Sequence, residues 1–282
     1  MRFNLYIVHH KDVKIPVMPC MIPIRSDRAD QENLSTKENY CELRAQYWVW
    51  KNVALRDDDY IGFFHYRRYL DFSKGKALSL PIVKRPLPYR ISRFPVKKTY
   101  AEENIADCVE GFDVIAPVWE YTGISVWQRY SQSPKQRRED LQLVYNIIQE
   151  KYPQFIPAAD AYLAGNGEYY GNIFLMRWSL FKNYCLWLFD ILEEFDNRVA
   201  LPLPRTNGYL GERLFGIYFT WLQEQTNLNL GELPRLHFLE YDDERHAFAV
   251  AKIINCFLPP GSVCRAQVVR KANNIMQRRS RQ

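Results

Sequence analysis

Asp59-Tyr60-Ile61-Gly62-Phe63-Phe64-His65-Tyr66-Arg67-Arg68-Tyr69 decides how this chain is read. Residues 60–66 are almost continuously apolar, the pattern of a strand buried on both faces of a sheet. The end of the run then delivers a histidine, a tyrosine and two arginines together. Residues 3–10 and 112–118 are apolar runs of the same kind, and 169–177 and 233–241 read as two further strands. Between them the spacing turns helical. Tyr40, Leu43, Tyr47, Trp50 and Ala54 predict a helix over 40–54, with Asn39 as its cap and Glu42 placed as a capping box requires. Further helices are expected at 100–109, 139–152, 155–165, 179–195 and 211–225. Strands alternating with helices specify an α/β domain with a mixed, mainly parallel sheet.

The 282 residues are 47% hydrophobic and 25% charged, enough for a large core. Aromatic residues reach 15%; most belong in that core, although rings also suit sugar faces. No run approaches the roughly 18 apolar residues that would span a bilayer. The first residues lack the features of an export signal, so the expectation is a cytoplasmic protein, soluble or peripheral. In that compartment the six cysteines, none in a C-x-x-C pair, read as reduced core thiols.

The net charge of +6 belongs to the end of the chain, where Arg265, Arg270, Lys271, Arg278, Arg279 and Arg281 stand without an acid. Removing those six cations leaves residues 1–264 formally neutral, which argues against nucleic acid as the partner. Residues 1–258 are expected to form the main domain and 259–282 a basic tail. A helix over 262–279 would align Val263, Val269 and Met276 beside the arginines, a pattern for an anionic membrane surface. A solubilising tail or contact with a partner enzyme would use the same residues. The stretch 73–98, rich in proline and cations, reads as a loop or flap over a site.

Ligands of open α/β sheets bind beyond the carboxyl ends of the strands. His65, Tyr66, Arg67 and Arg68 fall there, and the arginine fork matches phosphate oxygens. The plainer alternative is a pair of surface cations beside a structural histidine. Gly171-Asn172 interrupts an apolar strand. Glycine admits close backbone approach and Asn172 offers donors and an acceptor to a sugar hydroxyl, or else the pair is a bulge. Asn207-Gly208-Tyr209-Leu210-Gly211-Glu212 reads as a glycine-punctuated loop opening a helix. Glu212 in its first turn is either a catalytic base or an ordinary helix-start acid. Asp57-Asp58-Asp59 precedes a strand and reads as a turn, not a metal-binding acidic pair. Phosphate-loop, dinucleotide, nucleophile-elbow and zinc-helix motifs are absent from the sequence.

In order, the blocks Asn39–Asn52, Asp59–Tyr69, Asn172–Met176, Tyr184–Phe189 and Gly208–Leu214 resemble one family. It comprises bacterial capsular, exopolysaccharide and O-antigen biosynthesis proteins represented by galactofuranosyltransferases, and the resemblance covers about residues 3–240. It implies a GT-A-like fold and inverting transfer of a hexose, galactofuranose foremost, from a UDP-sugar. The acceptor would be a growing glycan carried on polyprenyl diphosphate at the inner face of the cytoplasmic membrane. It further implies Glu212 as base, Asn172 with Gly171 at the sugar, and His65 to Arg68 at the diphosphate. No cofactor is required on this reading, and a divalent metal is optional.

Overall fold

The computed structural model describes residues 1–12, 18–75, 77–79, 87–89, 94–225 and 227–238, with scattered positions between 253 and 271. Within them the strands are β1 (Phe3–His9), β2 (Met21–Arg25), β3 (Tyr60–His65), β4 (Arg68–Leu70), β5 (Leu78–Ser79), β6 (Leu87–Tyr89), β7 (Val114–Pro117), β8 (Glu120–Tyr121), β9 (Gly167–Glu168), β10 (Phe174–Arg177), β11 (Leu230–Leu233) and β12 (Arg235–Phe238). The helices are α1 (Leu43–Asn52), α2 (Val96–Thr99), α3 (Glu102–Val109), α4 (Val126–Gln132), α5 (Arg138–Lys151), α6 (Ile156–Ala164), α7 (Trp178–Arg198) and α8 (Thr206–Gln223).

Ten of these strands form one mixed sheet, and β8 pairs with β9 in a separate ribbon. Strands β2, β1, β3, β7 and β11 run in one direction. β10 lies antiparallel between β3 and β7. The side chains of β3 explain why it is central. Ile61 and Phe63 join a core with α1 and α4 to α8, whereas Tyr60 and Phe64 join a second core with α3. β1 divides likewise, with Tyr6 and Val8 on one face and Leu5 and Ile7 on the other. This is the period-two alternation of a strand covered on both sides. The expected α/β architecture, mixed and mainly parallel in strand direction, is the one present.

Several boundaries differ from expectation. Residues 38–40 form a 3-10 turn and α1 starts only at Leu43. Asn39 is not a cap; its amide donates to Asn207 Oδ1 at 2.8 Å. Strand 169–177 shortens to β10, because Gly171 and Asn172 take left-handed φ of 91° and 50°. Residues 233–241 divide around Pro234 into β11 and β12, and 239–241 lie outside the described residues. Most of the expected tail, and residues 76, 80–86 and 90–93 of the expected flap, also lie outside them, whereas β5, β6 and the start of α2 stand within the stretch expected as a loop. Cys20, Cys108 and Cys185 are buried thiols as expected, but Cys41 is half-buried and Cys256 and Cys264 are exposed. No helix among the described residues is long and apolar enough to cross a membrane.

The largest correction concerns α8, which begins at Thr206 rather than 211, so Glu212 stands in its second turn. The glycines that resemble loop punctuation are close-packing positions inside the helix. A Cβ on Gly208 would lie 3.0 Å from Cys41 Cβ, one on Gly211 2.7 Å from Leu43 Cδ1, and one on Gly216 2.0 Å from Tyr162 Cζ. The helix therefore approaches residues 41–43 and α6 at distances that only glycine permits.

Two outcomes follow from this packing. Gly216→Ala should destabilise the fold by about 1–3 kcal/mol through overpacking against the buried Tyr162 ring, read as a lowered urea midpoint. The second concerns Glu232 on β11, which is 2% exposed and accepts from the Tyr169 hydroxyl at 3.1 Å. Burial pushes its carboxyl up to about 8. The unfolded chain releases that proton near 4.3, so the stability it contributes is full below that value and lost as pH rises through the folded one. The wild-type urea midpoint should fall from about pH 5 to about pH 8, and Glu232→Gln should flatten the fall. An unchanged slope in the variant would assign the proton to another group.

Candidate active site

At the carboxyl end of β3, the residues flanking β10 and the first turns of α8 converge. Gly171 and Asn172 form the junction. The Gly171 N–H donates to Glu212 Oε1 at 2.7 Å. The Asn172 amide donates to Glu42 Oε1 at 2.8 Å and to the Gly208 carbonyl at 3.2 Å. Gln46 Nε2 in turn donates to the Asn172 carbonyl at 3.2 Å. Glu42 and Gln46 are four residues apart and share one side of the α1 entry, so both reach the same turn. The expectation that Glu42 acts as a cap is overturned: it holds the N-cap position but makes no side-chain capping bond.

Glu212 is fixed from a second side. Its Oε2 meets Arg213 Nη1 at 2.7 Å, and Arg213 Nη2 meets Glu168 Oε2 at 2.7 Å. The Arg213 side chain is 4% exposed and that of Glu168 is 1% exposed. Burial alone would weaken the hold of Arg213 on its proton, and the Glu168 and Glu212 carboxylates outweigh it, so its pKa rises. Burial raises the carboxyl of Glu42, and the Glu212 charge adds to the rise; the Asn172 bond and Arg205 oppose it.

The Gly171 turn also approaches the cations. A Cβ on Gly171 would lie 3.8 Å from Arg68 Cδ. Arg68 makes no side-chain hydrogen bond or ion pair among the described residues. Burial lowers its pKa, and so do the Arg235 and Arg67 charges, against Glu212 and Glu42. His65 and His237 are the residues paired with Arg68 in β3 and β12. Burial and then Arg68 push His65 down to about 3, and the same two causes push His237 down to about 4. Both imidazoles are neutral at ordinary pH, so the positive charge here is carried by arginines. Arg235 is tied to Glu120 and lies 5.8 Å from the Tyr170 ring.

His65, Arg68, Gly171, Asn172 and Glu212 are thus brought together, although Glu212 is not a helix-start acid. Tyr66 packs against this group, its ring centroid 4.3 Å from that of His65. It is 5% exposed in the second core, edge-on to His10 at 5.5 Å, with the Arg67 guanidinium 5.2 Å from its ring. Glu42, Arg205, Arg213, Arg235 and His237 were not singled out as ligand-binding groups by sequence. Only the spacing of Glu42 and Gln46, and the adjacency of Glu212 and Arg213, signalled any of them. Two buried polar atoms of the group, His65 Nδ1 and Asn172 Oδ1, have no hydrogen-bond partner among the described residues.

Among the described residues no three His, Cys, Asp or Glu side chains gather to hold a metal ion. Asp71, the acid nearest in sequence to the arginines, is fully buried and accepts from the Ser73 N–H at 2.9 Å.

Comparison with known proteins bears on this arrangement. A solved structure described as the apo form of WbbM, a bifunctional glycosyltransferase, matches with a TM-score of 0.75 at 29% identity. The match covers 84% of this chain and 45% of that one, so this chain spans less than half of that protein. No curated protein matches. The profile of the family described as domain of unknown function DUF4422 matches residues 4–225, and with most of its length so covered the chain belongs to that family.

Proposed function

We propose that this protein is a glycosyltransferase that takes a sugar from a nucleoside diphosphate and transfers it to a hydroxyl by single displacement. The observation that carries the reading is the convergence at Gly171 of two arginines, Arg68 and Arg235, with two carboxylates, Glu42 and Glu212. Likeness to a bifunctional glycosyltransferase supports it. Glycosyl transfer from such a donor has two electrostatic needs. The departing diphosphate gathers negative charge, which fixed guanidinium groups stabilise in a partly dry site. The attacking hydroxyl must lose a proton, which a carboxylate accepts. Both kinds of group stand around the Gly171-Asn172 turn. Asn172, with its unpartnered buried Oδ1, supplies an acceptor for a sugar hydroxyl.

The resemblance of the sequence blocks refines the proposal. The donor is a UDP-hexose, with galactofuranose the first sugar to try. Transfer inverts the anomeric centre, and the acceptor is a lipid-linked or cell-surface glycan. The basic residues after Arg265 would bring the enzyme to an anionic cytoplasmic membrane surface where such an acceptor is held.

The test is a panel of UDP-sugars, UDP-galactofuranose included, with and without EDTA, scored for binding and UDP release. Selective turnover of one sugar that survives EDTA is the expected outcome. Failure to bind any nucleotide sugar would overturn the proposal and favour a non-catalytic scaffold in a polysaccharide-synthesis complex. Within the panel, Arg68→Ala should weaken UDP binding about 10- to 100-fold, the loss of a charge-assisted bond of about 1.5–3 kcal/mol. Uridine, which lacks the diphosphate, should bind both proteins alike by calorimetry. Because His65 and His237 titrate near 3 and 4, UDP-sugar affinity should not change with a midpoint between about pH 5.5 and 7.5.

A further inference from the structure

Two carboxylates meet at the Gly171-Asn172 turn, and they are not equivalent. Each oxygen of Glu212 is engaged: Oε1 by the Gly171 N–H and Oε2 by Arg213, both at 2.7 Å. Arg213 is itself buried and shared with Glu168. A proton arriving on Glu212 would displace one of these two bonds, leaving either a turn amide or a buried guanidinium short of a partner. Glu42 is held at one oxygen only, by Asn172 at 2.8 Å. Among the described residues no other side chain donates to its carboxylate. Its side chain is half-buried rather than sealed from solvent.

The groups that face Glu42 come from three directions. Glu212 belongs to α8 and Arg205 precedes it, Asn172 precedes β10, and Cys41 is its chain neighbour. Arg68 on β4 also feels its charge. Glu212 disfavours a second negative charge, whereas Arg205 and Asn172 favour one. A base works best when its proton affinity lies nearer the operating pH than that of a free carboxylate.

We infer that Glu42 is the general base of this site and that Glu212 is a positioning residue, holding the Gly171-Asn172 turn through which Glu42 is oriented. This rests on the glycosyl transfer proposed above. In the step, the acceptor hydroxyl gives its proton to the free oxygen of Glu42 as its own oxygen bonds to the anomeric carbon. The anomeric C–O bond to the nucleoside diphosphate breaks in the same displacement. Its electron pair leaves on the diphosphate oxygen beside Arg68. The proton passes from Glu42 to water when the product departs.

Glutamine separates the two roles. In Glu42→Gln the side-chain carbonyl still accepts from Asn172, so the turn and fold are kept and only proton acceptance is lost. In Glu212→Gln the carbonyl still accepts from Gly171, but an amide replaces the ion-pair partner of Arg213. The readout is UDP release from the UDP-hexose that the wild-type protein turns over fastest, followed against pH, with UDP binding by calorimetry and melting temperature beside it. Glu42→Gln should lose about 10²- to 10⁴-fold in kcat. Its UDP affinity and melting temperature should match wild type, and the acid limb of the wild-type kcat profile should vanish. Glu212→Gln should melt lower and turn over more slowly, yet keep that limb. Wild-type kcat in Glu42→Gln, or a limb that survives there and vanishes in Glu212→Gln, would overturn the assignment. If the wild-type protein binds and turns over no nucleotide sugar, the parent proposal fails first and the base assignment with it.

Discussion

Asn172 holds a backbone conformation that most residues avoid, at φ 50° with 3% of its surface exposed. The left-handed region costs a non-glycine residue of order 1–3 kcal/mol, and it persists only where the surroundings enforce it. Here the enforcement comes from two places far apart in sequence. Glu42 and Gln46 grip the side chain and carbonyl, the Gly208 carbonyl takes the other amide bond, and Glu212 takes the N–H of Gly171. Loss of any one would free a polar group in a nearly dry setting, at about 1–3 kcal/mol. The turn therefore ties the start of α1, the second turn of α8 and the entry of β10 into one arrangement. Because β10 is hydrogen-bonded to β3, that arrangement is also fixed relative to His65 and Arg68.

The charged network behind the turn depends on the same economy of partners. Buried ions are costly unless paired and hydrogen-bonded, and removing one partner costs more than the pair contributes. Glu120 and Glu168 lie opposite each other in the β8–β9 ribbon. Glu120 holds Arg235 and Glu168 holds Arg213. A ribbon of two short strands thus anchors two of the arginines around the site. Arg213 also faces the Tyr130 ring at 5.4 Å, which adds a neutral neighbour to a guanidinium withdrawn from water.

How much of this was legible in the sequence follows from which contacts are local. The double-faced strands announced themselves, since Tyr60 to Phe64 alternate between two cores and leave no polar face. The cluster at the end of β3 was legible for the same reason: the apolar run stops where the functional groups begin. The start of α8 was not, because Gly208 and Gly211 look like loop residues until the side chains of Cys41 and Leu43 are seen against them. Glu42 was misread as a cap because the 3-10 turn at 38–40 displaces the helix start, and its partner is 130 residues away. Arg235 and His237 join the site only through pairing of β12 with β4, a register that no local spacing encodes. The aromatic abundance was a weaker guide than it looked. Rings such as Phe155, Trp187, Tyr218 and Trp221 stack on one another, so the core consumes many of them.

Gly171 is where strain, charge separation and chemistry meet. At φ 91° a side chain would be strained whatever the space around it, and a Cβ would lie 3.2 Å from Ile173 Cδ1 and 3.8 Å from Arg68 Cδ. A larger residue there would crowd the gap beside Ile173 and the Arg68 side chain. On the proposed reading that gap is where the anomeric carbon passes, since its departing diphosphate needs the cation and its incoming hydroxyl needs the base. A cleft that kept these groups apart with a side chain could bind the donor or the acceptor, but not carry one displacement through both. A glycine in that conformation, with its N–H fixed to Glu212, gives the backbone approach that the reaction requires without bringing opposite charges into direct contact.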